Sequence, residues 1–99
     1  MNKKLNSADV DFLYAAVLKL ETKEECASFF EDLCTVPELR AMSQRLVVAK
    51  MLSEKRVYKE IQSETGASTA TISRVNRSLT YGSDGYTKIF QRLEADQKK

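Results

Sequence analysis

Between Val57 and Leu79 the chain reads VYKEIQSETGASTATISRVNRSL, and no other stretch limits the fold as strongly. A single glycine, Gly66, interrupts two segments of helical period. The apolar positions around it are few: Ile61, Ala67, Ile72 and Val75. Ile72 and Val75 lie three apart, on one face of a helix, and Ile61 faces the turn from the segment before. This spacing predicts two short helices packed across a tight turn, the helix-turn-helix arrangement. Any two-helix corner needs a glycine and an apolar pair, so the remaining faces decide what the corner is for. On the second helix they carry Ser68, Thr69, Thr71, Ser73, Arg74, Asn76 and Arg77. Short or basic side chains of this kind suit the donor and acceptor pattern of a DNA major groove. An interaction module using the same corner, without specific DNA readout, is the alternative. It would expose apolar residues on that face.

Charge is distributed in the same sense. Over residues 55–81, Lys55, Arg56, Lys59, Arg74 and Arg77 stand against Glu60 and Glu64, a net of +3. Residues 1–40, counting Lys3 and Lys4, carry a net of −3. The basic block coincides with the motif, where a phosphate backbone would lie. The acidic N-terminal part would be repelled from DNA and is assigned to oligomerisation.

Several classes of function are excluded. The chain has no histidine, so a Ser-His or Cys-His nucleophile cannot be built. The adjacent acids Glu24 and Glu25, and Glu31 and Asp32, diverge on a helix rather than converging on a cleft. A non-enzyme without cofactor is expected. Cys26 and Cys34 lie eight residues apart on one predicted helix, about 12 Å at 1.5 Å rise per residue. That distance is beyond disulfide reach, so they read as free thiols of a reducing compartment. Without histidine or a close cysteine pair, no metal site is expected. No apolar run is long enough to span a bilayer, and no leader resembles a signal peptide. The expected location is cytoplasmic, with no membrane partner.

The whole chain reads as all-α, one helical domain over 1–99. Ser7 can cap a first helix with Val10, Leu13, Val17 and Leu20 on its stripe, and Thr22 with Glu25 forms a capping-box pattern for a second. These helices, within 1–34, are apolar over an arc broader than one small monomer can cover, so they are read as dimerisation helices. Thr35, Pro37 and Glu38 start a central helix over 36–55, with Leu39, Met42, Leu46, Ala49 and Leu52 on one side. The helix-turn-helix follows at 57–79. Gly82 stops its second helix, and Ser83 or Asp84 can cap a last helix over 83–95 bearing Tyr86, Ile89, Phe90 and Leu93. The polar tail from Asp96 to Lys99 is expected to fray.

The run E-T-G-A-S-T-A-T-I-S-R-V-N-R-S-L resembles the DNA-reading part of the Trp repressor family. Val36-Pro37-Glu38 and Ser43-Gln44-Arg45 resemble that family's entry into its long central helix. The similarity is strongest from Thr35 to Leu79, and within the family the chain resembles the Trp-repressor-like YerC/YecD group. It implies a six-helix, intertwined homodimer whose paired recognition helices read a palindromic DNA operator, as a repressor does. By position it implies that Lys59 reaches a base edge, that Thr69, Ala70, Thr71 and Ser73 face the groove, and that Arg74 lies near the phosphates. Phosphate contacts are further assigned to Lys55, Arg56 and Arg77, and to the amides near Ser68. Small groove-facing side chains leave room for bridging water, for which the Trp repressor complex is itself a standard example.

The same resemblance implies an amino-acid effector. Arg45 and Arg74 match two arginines that sandwich its ring, Ser78 matches a hydroxyl near its amine, and Thr35 and Val36 match carbonyl acceptors for that amine. The sequence departs from the pattern at Val75, where the family has glycine. A branched side chain there narrows the floor against an indole. Any effector is therefore expected to be smaller than tryptophan.

Overall fold

The computed structural model describes residues 7–97. Lys3 and Lys4, counted in the N-terminal charge balance, and Lys98 and Lys99 of the polar tail lie outside the described residues. Six α-helices and no strand are present among the described residues: α1 (Ala8–Val17), α2 (Lys23–Leu33), α3 (Val36–Ser53), α4 (Tyr58–Thr65), α5 (Thr69–Tyr81) and α6 (Gly85–Gln97). They form two compact units, one up to Val36 and one from Pro37 onward.

In the N-terminal unit the caps follow the sequence. Ser7 Oγ accepts the Val10 N–H at 3.1 Å, and Thr22 Oγ1 accepts the Glu25 N–H at 3.0 Å. The reciprocal half of the second cap is shifted: Glu25 Oε1 accepts from Glu21 N–H at 2.8 Å, one residue before the expected donor. Helix α1 stops at Val17, where the Lys19 and Leu20 N–H groups tighten onto the Ala16 and Val17 carbonyls, both at 3.1 Å. Leu20 therefore leaves the stripe assigned to it. Neither α1 nor α2 contains a buried residue, and Phe12 and Leu18 are 78% and 83% exposed. Cys26 and Cys34 are free thiols.

The C-terminal unit holds the core. Val48, Ala49, Met51 and Leu52 of α3 meet Ile61 of α4, Ala67 of the turn, Ile72 and Val75 of α5, and Phe90 of α6. All four apolar positions expected around Gly66 are in it. Val48 and Met51 also belong to it although they lie off the stripe of α3 expected from sequence: with Ala49 and Leu52 they form one face, rotated from that stripe. Each fully buried isoleucine, Ile61 and Ile72, contributes about 1.5–3 kcal/mol by removal from water. Lys50 adds a polar tie between α3 and α6. Its Nζ stands 3.7 Å from Glu94 Oε1, 3.9 Å from Glu54 Oε2 and 5.3 Å from the centre of the Phe90 ring.

The connections correct three expected boundaries. Helix α3 ends at Ser53 rather than Lys55, because Lys55 takes a left-handed φ of 65° and the chain reverses. The Lys55 and Arg56 N–H groups then bond the Leu52 and Met51 carbonyls at 3.0 and 3.1 Å, the two bonds of a Schellman closure. Helix α5 ends at Gly82, the stop expected from sequence, so the motif extends to Tyr81, two residues past the 57–79 assigned to it. At Gly82 the backbone is not left-handed; a Cβ there would collide with the Ser78 carbonyl oxygen, and this close approach is what requires glycine. Helix α6 starts at Gly85, after Asp84 in a left-handed turn, and continues through Asp96 and Gln97, which were expected to fray.

Candidate nucleic-acid interface

The turn between α4 and α5 is fixed from three directions. Gly66 adopts φ 73°, and its N–H bonds the Gln62 carbonyl at 2.9 Å. Thr65 Oγ1 donates to the Ile61 carbonyl at 2.7 Å and accepts from Ala67 N–H at 3.1 Å. From α3, Gln44 Nε2 donates to the Thr65 carbonyl at 3.1 Å. This glutamine holds the motif against the central helix. Nothing in the local pattern marks it, because its acceptor is 21 residues away.

Ser68 starts α5 by accepting the Thr71 N–H on Oγ at 3.1 Å, and the two hydroxyls are also 3.1 Å apart. Thr71 is half-buried, so its hydroxyl is partly committed to the cap. Behind it, Ile72 and Val75 are buried and anchor the helix. The outer face is the stripe Ala70, Ser73, Arg74, Arg77 and Tyr81, all exposed, at the three- and four-residue spacing of one side of a helix. Thr69, also exposed, flanks it at the N-terminal end. Neither Arg74 nor Arg77 forms an ion pair among the described residues, and the same holds for Lys55 and Lys59, both exposed near the start of α4.

Arg56 behaves differently from the phosphate contact expected of it. Its Nε lies 3.3 Å from Glu60 Oε2, and its Nη2 pairs with Glu64. Partial desolvation of the guanidinium opposes its charge, but the Glu64 and Glu60 carboxylates outweigh this and raise its pKa. The side chain is a clasp along α4, spaced at one and two helical turns. Sequence reading counted its charge and missed the pairing, although the i, i+4 and i, i+8 spacing to two glutamates was there to be used.

Of the residues expected to hold an effector, Arg45, Arg74 and Ser78 are exposed, and Val75 is 2% exposed within the core. The Val75 side chain fills space between helices instead of facing an open site. Thr35 and Val36, at the start of α3, are exposed. Among the described residues no group of histidine, cysteine or carboxylate side chains could hold a metal ion, and no helix is long and apolar enough to cross a membrane.

Comparison with known proteins agrees along nearly the whole chain. Residues 8–94 match the family profile of the Trp repressor protein. An uncharacterized protein of Bacillus subtilis (strain 168), YerC, is 50% identical over 91 residues, which span 92% of this chain and 88% of that protein. A TrpR-like protein from Eubacterium eligens ATCC 27750 superposes with a TM-score of 0.91 at 55% identity, over 94% of this chain and 96% of the other. The crystal structure of a proposed Trp repressor from Staphylococcus aureus gives 0.89 at 54% identity, over 93% and 92%.

Proposed function

The chain belongs to the Trp repressor family, and from that premise we propose that it is a sequence-specific transcriptional repressor that occupies an operator as a homodimer. Family and fold make it a DNA-binding helix-turn-helix regulator of an all-α type, a class of regulators rather than enzymes. The observation that carries the finer reading is the outer face of α5. It combines small side chains with two arginines that no carboxylate among the described residues neutralises, on a helix anchored from behind by Ile72 and Val75. Base selection falls to Lys59 and to Thr69, Ala70, Thr71 and Ser73. Phosphate contacts fall to Lys55, Arg74 and Arg77 and to the amides that follow Ser68. Arg56 is left out of this set because Glu60 and Glu64 already hold it.

The uncovered apolar surface of α1 and α2 supports the homodimer, which also supplies the second recognition helix that a palindromic site requires. The site of action is the cytoplasm. An effector, where one acts, is an amino acid smaller than tryptophan, held by Arg45, Arg74 and Ser78. Selection of genomic fragments on the immobilised protein tests the central claim. Enrichment of a shared inverted repeat is expected, and retention of fragments without any common sequence overturns specific readout.

A further inference from the structure

The C-terminal half of α5 carries an open depression lined by Ser73, Arg74, Asn76, Arg77, Thr80 and Tyr81. Every one of these six side chains has a hydrogen-bond donor, and none is a carboxylate. Tyr81 is 82% exposed, a large ring left mostly open to solvent. It stands one turn beyond Arg77 and two beyond Arg74. The helix itself does not favour an anion here, since this is the negative end of its dipole. The two arginines must therefore supply the attraction, and the neutral donors can only add to it.

We propose that this depression is a track for the DNA sugar-phosphate backbone, in which Asn76, Thr80 and Tyr81 donate to phosphate oxygens alongside Arg74 and Arg77. Tyr81 lies 12 residues from Thr69, about 18 Å along the helix axis. That span carries the contact surface from the groove-reading start of α5 to the strand flanking the groove. The inference rests on the DNA-binding reading above and extends it to three neutral residues with no other evident task. Phosphate contacts carry no sequence information and neutral donors release no counterions, which together give the track a distinctive signature.

The test is duplex binding by Tyr81→Phe, Thr80→Val and Asn76→Ala, measured by anisotropy on cognate and scrambled duplexes over a salt series, with sedimentation of each variant. Each substitution is expected to weaken binding by about 5- to 100-fold, the loss of one modest hydrogen bond in each protomer of the dimer. The loss should be equal on both duplexes, with the salt slope and the oligomeric state unchanged. Variants that bind like the wild type overturn the track, as does a loss confined to the cognate duplex. A loss that tracks dissociation of the protein assigns Tyr81 to a protein contact and also overturns it. Wild-type protein that retains no duplex at all would instead remove the DNA-binding reading itself.

Discussion

Arg56 Nε lies 3.3 Å from Glu60 Oε2, so a cation at the edge of the basic block is held by the helix that follows it. Substituting Arg56 and Arg77 should therefore have unlike consequences. Arg77→Gln is expected to lower the slope of log K against log salt by about 1.8 for the dimer, the counterion equivalent of two phosphates, one for each protomer. Arg56→Gln is expected to leave the slope unchanged while speeding amide exchange in α4. A drop of similar size for both variants, read from the same salt titration, would return Arg56 to the phosphate contacts.

Two glycines should respond to alanine for different reasons. At Gly66 there is open space but a φ of 73°, so the cost is conformational, about 1–2 kcal/mol. At Gly82 the backbone angles are ordinary, yet the new Cβ meets the Ser78 carbonyl oxygen, which forces the end of α5 to shift. Overpacking of that kind costs about 1–3 kcal/mol. Gly82→Ala should also shorten α5, so its loss of DNA affinity should exceed what its loss of stability explains. Denaturation midpoints together with binding isotherms decide this; a Gly82→Ala protein as stable as the wild type refutes the steric account.

Val75 ties effector choice to stability. The wild-type protein is expected to give no saturable calorimetric signal with tryptophan at millimolar concentration. Val75→Gly removes a buried side chain and places glycine within a helix, which together cost about 2–4 kcal/mol. Any tryptophan binding gained by this variant should raise its melting temperature, since a ligand stabilises the state that binds it. A wild-type isotherm with tryptophan that also tightens DNA binding refutes the exclusion.

Leu18→Glu places a charge where α1 ends, on a side chain that a lone chain leaves 83% exposed. In a monomer this change would be nearly neutral. In the proposed homodimer it should shift sedimentation toward the monomer and reduce operator affinity in parallel. Unchanged sedimentation would remove Leu18 from the dimer surface.

The parts of this protein that were legible in sequence are those with local causes. Ser7 and Thr22 cap the helices they precede, Gly66 takes the left-handed turn, and Ile61, Ala67, Ile72 and Val75 are buried, because neighbours within a few residues dictate each one. Other features depend on a remote partner or an unusual backbone position, and one, the Arg56 clasp, on a local pairing that a count of charges passes over. Gln44 bonds a carbonyl 21 positions away, and no periodicity reports such a bond. Lys55 occupies a left-handed position that glycine ordinarily fills, so the end of α3 was set two residues late. The exposed face of α5 was legible because burial of Ile72 and Val75 fixes the rotation of the helix, and the residues left outside follow by geometry.

Helices α1 and α2 have 10 and 11 residues and bury none of them in the single chain. Helices this short are marginal in water without tertiary support. In the proposed homodimer their folding is a bimolecular event, and the helical signal of the N-terminal segment becomes a gauge of how much protein is present. Dilution should melt this segment before the motif, so that occupancy of an operator rises more steeply than in proportion to the amount of chain. A cell could then switch such a regulator by changing its abundance, with no ligand required.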